Sequence, residues 1–227
     1  MENMQNRKPK KITFLLKDEC KILNWLISFE FFFTIKLGTF AFCFAQNQGW
    51  NKKKCKDMSD QFTTTDLNLL NESIFRLIGK DWMLIAAGNK KSYNMMTASW
   101  GGCGILWNKP VAFIFVRPQR YTLEFLEKHD HFTLNFFDPS YRKTLNLLGT
   151  KSGREINKME VDGMKAIEIN RDTIGFENAS LILECKKVYA DKLKPENFID
   201  PSFLDHYPLR DYHIIYYGEI INALKKV

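Results

Sequence analysis

Residues 94–122 read NMMTASWGGCGILWNKPVAFIFVRPQRYT, and the rest of the 227-residue chain frames this stretch. It opens on alternating small, polar and aromatic residues, passes through the β-branched and aromatic run VAFIFV, and ends in a basic turn bent by Pro118. Asn94, Thr97 and Ser99 carry short hydrogen-bonding side chains, and Trp100 and Trp107 carry large apolar faces. Arg117, Arg120, Tyr121 and Thr122 follow as a dense cluster of anion donors. Arginine meets phosphate through paired N–H bonds, and a hydroxyl at a helix start adds to the N-terminal dipole. The order suits a flat ligand with a phosphate at one end.

Outward from this stretch the chain reads mainly as strand. WMLIAAGN, residues 82–89, is an apolar run closed by a polar turn over 89–92, and VAFIFV at 111–116 is a second short apolar strand stopped by Pro118. A helix is expected from about Tyr121, with Leu123, Phe125 and Leu126 inward and Glu124 and Lys128 four apart outside. FTLNFF at 132–137 alternates like a half-buried strand. SYRKTLNLLG reads as a second helix capped by Ser140 and stopped at Gly149. Residues 153–162 form a charged loop, 179–193 a strand long enough to turn a barrel corner, 194–211 a proline-marked excursion, and YHIIYYGEIINAL a final strand. Many strands with a few short helices make the fold class mainly β, a small closed barrel.

The formal charge of +7 is unevenly placed. Residues 1–57 hold 11 Lys/Arg against 5 Asp/Glu, whereas residues 58–227 hold 22 against 21. The body therefore gives no electrostatic reason to bind nucleic acid. The segment 22–45 is aromatic-rich but carries Glu30 and Lys36. Each central charge costs a spanning helix about 2.5–3.5 kcal/mol, so no membrane span is expected. Residues 1–57 are read as a leader or upstream-start extension ahead of Met58, with a cleaved signal as the other reading. Cys20, Cys43 and Cys55 lie in that leader and Cys103 and Cys185 in the body, without C-x-x-C or metal-like spacing. This composition points to a reducing, cytoplasmic setting, although a signal-like leader leaves export open.

Each candidate site has a plainer reading. The WGGCG glycines fit neither a P-loop nor G-x-G-x-x-G, because Trp107 stands where the last glycine belongs, so a tight strand bend explains them better. Cys103 has no histidine near it in sequence and reads as a small buried thiol, and His129 and His131 read as a helix end. Met95 and Met96 read as core. Arg117 and Arg120 divide evenly between solvated charge and anion site on composition alone.

NMMTASWGG, NKPV and VRPQRYT, followed in order by LGTKSG, NKM, ECKKVY and DYHIIYYGEI, resemble the flavin reductase-like family of FMN-binding split β-barrels, in its flavoredoxin-like branch. The resemblance covers roughly residues 65–227 and favours the phosphate reading of the arginines. It implies non-covalent FMN, NADH or NADPH as reductant, and a homodimer. By position, Asn94, Thr97, Ala98, Ser99 and Trp100 would line the ring and ribityl chain. Arg120, Tyr121 and Thr122, with Arg117 beside them, would take the phosphate, and Lys158 and His213 would close the site. No residue is marked as an obligatory acid or base, because hydride transfer between nicotinamide and flavin is intrinsic to the two cofactors. Lys158 is the candidate cation for tuning the flavin. The expected function is transfer of electrons from NAD(P)H through FMN to an acceptor. The alternatives are an FMN electron carrier reduced by a protein partner and a barrel for another planar ligand.

Overall fold

β2 (Met83–Asn89) is buried on both faces, which is why its sequence is a continuous apolar run rather than an alternation. Met83, Ile85 and Ala87 belong to one hydrophobic cluster, and Leu84 and Ala86 belong to a second. The computed structural model describes residues 61–170 and 173–227. The readings of residues 1–57, of the segment 22–45 and of Cys20, Cys43 and Cys55 lie outside the described residues.

Around β2 the chain runs β1 (Phe62–Thr64), β3 (Ser92–Ala98), β4 (Gly101–Leu106), β5 (Lys109–Val116), α1 (Thr122–Lys128), β6 (His131–Phe136) and α2 (Arg142–Thr150). It continues through β7 (Ala166–Asn170), β8 (Thr173–Phe176), β9 (Leu181–Lys192) and β10 (Ile214–Lys226). The main sheet is antiparallel, in the order β3-β2-β6-β9-β10-β5-β4, with β1 added on β10. β3 and β4 thus end opposite flanks of the sheet, yet only Ser99 and Trp100 join them. Two linking residues span at most about 10 Å between strand ends. The flanks must therefore meet at this corner, and the sheet is rolled into a barrel split along the β3/β4 seam. This is the mainly β, short-helix split barrel expected from the sequence.

The glycines at the seam act as the bend expected of them. Gly101 sits at φ 148°, and a Cβ there would fall 2.7 Å from the Phe113 carbonyl oxygen. A Cβ on Gly102 would fall 2.3 Å from the Phe113 ring. Trp107 and Asn108, both at left-handed φ, then make the tight turn into β5.

Three local expectations are corrected. β6 is not half-buried: Phe132 through Phe136 are all buried, because the β7–β8 hairpin covers the face carrying Thr133 and Asn135. Thr133 Oγ1 donates to the Ile174 carbonyl at 2.7 Å, and Asn135 Nδ2 donates to Thr133 Oγ1 at 2.9 Å. The turn before α2 is capped by Asp138, which accepts from the Ser140 N–H at 2.9 Å, and Gly149 lies inside the helix rather than ending it. On the outer side of α1, Glu124 pairs with Arg154 at 2.5 Å.

Among the described residues no helix is long and apolar enough to cross a membrane. Cys103 and Cys185 are free thiols, both held above the usual range by burial, Cys103 to about 11.

Candidate functional site

The rolled sheet brings the last turn of β3, the loop after β5, the end of α2 and the segment before β10 to one place. Three adjoining cavities of about 270, 170 and 170 Å³ open there, and Arg120 lines all three. Each alone is smaller than the roughly 300–1,000 Å³ of a small-molecule site, and joined they reach it. Every residue expected from the sequence borders one of them. Asn94, Tyr121, Thr122 and Lys158 line the first; Thr97, Ala98, Ser99, Trp100, Arg117 and His213 line the second.

Their partners differ in instructive ways. Asn94 and Thr122 are 3% and 1% exposed, and Asn94 Nδ2 donates to Thr122 Oγ1 at 2.8 Å. They brace α1 against β3 and form wall rather than free donors. Thr97 Oγ1 donates to the Leu145 carbonyl at 2.6 Å, tying β3 to α2. Arg117 is also occupied: it pairs with Asp211 at 2.5 Å and donates to the His206 carbonyl at 2.9 Å. The hydrogen bond from Gln119 and the Arg117 pair hold the Asp211 carboxyl below its usual range. Arg117 thus pins the 194–211 excursion, while Arg120 spends one N–H on the Gly149 carbonyl at 2.6 Å and lines all three cavities. α1 is only two turns long, so side chains supply more of the site's positive potential than a helix dipole does.

Lys158 is 5% exposed and donates to the Met95 and Leu148 carbonyls at 2.9 and 2.6 Å. Burial, then the nearby Arg120 charge, lowers its pKa to about 8, partly opposed by Glu155. Burial and the Arg117 charge lower Arg120 likewise. These cations raise one another's free energy, and a bound anion would relieve that repulsion. The geometry of the cradle is close: a Cβ on Gly153 would fall 2.3 Å from Asn94 Oδ1 and 2.7 Å from the Tyr121 ring. Gly153→Ala is expected to cost about 1–3 kcal/mol of stability through overpacking, measured by denaturant unfolding; an unchanged midpoint would show that this loop is slack.

His213 is buried, its Nδ1 lies 2.8 Å from Tyr207 Oη, and its ring stands 5.2 Å from Trp100. Burial and the Arg117 charge lower its pKa to about 4, so it is neutral in the working range. A folded pKa below the unfolded value of about 6.5 means that the unfolded chain binds the extra proton. Stability from this group is therefore present above pH 6.5 and lost as pH falls toward 4. The loss is on the order of 2–3 kcal/mol. His213→Asn should flatten that slope in unfolding measured from pH 4 to 6.5.

Sequence reasoning missed Trp82, Gln119, Phe115, Ser152 and Asp211. Trp82 sits at φ 72° with the Arg142 guanidinium 3.8 Å above its ring, and only the fold reveals that it walls the Ser99 side of the site. Gly153 lay in view within LGTKSG, but its close approach to Asn94 had no local signal.

A family profile described as "Flavin reductase like domain" matches residues 75–225. The chain belongs to that family. Solved structures of similar fold include a flavoredoxin from Methanosarcina acetivorans, at 22% identity and TM-score 0.50, covering 63% of this chain and 67% of that one. An FMN-binding domain of a flavin reductase-like enzyme from Shewanella baltica matches at 19% identity and TM-score 0.53, covering 72% and 76%. The flavoredoxin of Desulfovibrio vulgaris matches at 16% and 0.50, covering 73% and 77%. No curated protein matches significantly. At these identities the shared property is the fold, and the site of this flavin reductase-like chain rests on its own geometry.

Proposed function

We propose that residues 58–227 bind FMN in the Arg120 cleft and carry electrons from NADH or NADPH through it to an acceptor, in a homodimer. The observation that carries this reading is the convergence on Arg120 of a polar, cation-rich cavity and a cavity walled by Thr97–Trp100, Phe115 and His213. On this reading the phosphate would lie in the first and the ring along the wall of the second. Bound FMN would supply the two-electron chemistry, accepting hydride from a nicotinamide.

The chain's own groups bind and orient. Arg120 offers guanidinium N–H groups to the phosphate, and Lys158 places a charge beside it that is anchored by two carbonyls. Thr97, Ala98 and Ser99 present a strand end with little side-chain bulk, so backbone can approach a ring. Trp100, half-exposed, and neutral His213 flank the ring space without adding charge.

The test is the absorption spectrum of FMN-loaded protein during anaerobic stopped-flow mixing with NADH and NADPH. Bleaching of bound flavin is expected within seconds with at least one nucleotide. FMN uptake without bleaching by either would leave an electron carrier reduced by a partner protein, and failure to take up FMN would overturn the reading.

A further inference from the structure

The excursion over residues 194–211 borders a separate open cavity of about 680 Å³, and Trp100 lines both it and the Arg120 cleft. Its walls are aromatic: Phe198, Phe203, His206 and Tyr207 face it together with Trp100. The rings interlock, with Trp100 to His206 at 5.7 Å, Phe203 stacked on His206 at 6.4 Å, and Tyr207 edge-on to His213 at 5.5 Å.

The backbone of this excursion is tied down. Pro195 and Pro201 open 3-10 helices of one and two turns, and Asp200 caps the second by accepting from the Ser202 N–H at 2.9 Å. Arg117 holds the His206 carbonyl, and the Leu193 N–H donates to the His213 carbonyl at 2.9 Å. Yet Ile199 is 100% exposed and Phe203 55%. Exposed apolar side chains beside an aromatic wall on a braced frame form a contiguous apolar patch, which marks a binding surface. Charge on the cavity wall is balanced, Lys192 and Lys194 against Asp191 and Asp200, so nothing there selects an ion.

We propose that this cavity binds an uncharged, planar quinone-type aromatic molecule, with Phe203 and Ile199 as its contact residues, as the acceptor that takes two electrons and two protons to become a hydroquinone while reduced FMN in the adjoining cleft returns to FMN. The substrate role rests on the FMN reading; the binding does not. The test uses menadione, an uncharged planar naphthoquinone, titrated calorimetrically into the full chain with and without saturating FMN. One saturable site is expected in both conditions. Phe203→Ala and Ile199→Asp should each raise the menadione Kd about tenfold while FMN binding stays within twofold. The proposal is overturned by the absence of saturable binding, by unchanged menadione affinity in both variants, or by displacement of menadione by FMN, which would put it in the Arg120 cleft. Variants that alter the sedimentation coefficient while menadione affinity holds would make the excursion a subunit contact and overturn it too. Menadione binding in a chain that takes up no FMN would instead sink the flavin reading and leave this cavity's binding standing.

Discussion

Arg120→Ala is expected to raise the FMN dissociation constant ten- to a hundredfold while riboflavin, which lacks the phosphate, changes by no more than about threefold. A charge-assisted bond to phosphate is worth about 1.5–3 kcal/mol, and Arg120 lines all three joined cavities. Arg117→Ala should behave differently. Its guanidinium already serves Asp211 and His206, so its loss frees the excursion rather than removing a phosphate donor. Side-by-side titrations of FMN and riboflavin check both. Equal loss of the two ligands in Arg120→Ala would show that this residue does not hold the phosphate.

The second large effect is at Lys158, and it has two opposite signs. In the flavin-free protein its pKa lies near 8, below an ordinary lysine, so charging it costs folding free energy. That cost is present below pH 8 and disappears as pH rises from 8 to about 10.5, where only the unfolded chain still holds the proton. Parent stability should therefore climb across this window. FMN affinity should fall about tenfold across it, because the anion loses a neighbouring cation. Lys158→Met should remove both trends, with FMN affinity low at every pH. Stability and affinity measured from pH 7 to 10 decide this. Identical pH profiles in parent and variant would take Lys158 out of the site.

The parts of the site readable in advance were those whose signal is local. Thr97 through Trp100 form a run of small and aromatic residues at a strand end, and the Arg120–Thr122 cluster follows a proline. What stayed hidden depended on distant partners. Arg117 and Arg120 look alike in sequence, three residues apart, and nothing near them announces that Asp211 claims one of them from 94 positions away. Thr133 and Asn135 read as a solvent face because polar residues alternating with Phe and Leu normally do. They are buried because the β7–β8 hairpin returns over them and supplies the Ile174 carbonyl.

Strand identity and chain order, the bends at Gly101 and Pro118, and the stretch that holds the site are consequences of side-chain alternation and backbone preference, which act over a few residues. Closure of the barrel, the pairing of Arg117 with Asp211, the burial of Lys158 between two carbonyls and the cavity beside Trp100 were decided only by tertiary structure. They depend on which segments meet once the sheet rolls, and hydrogen-bond partners and desolvation are set by that meeting.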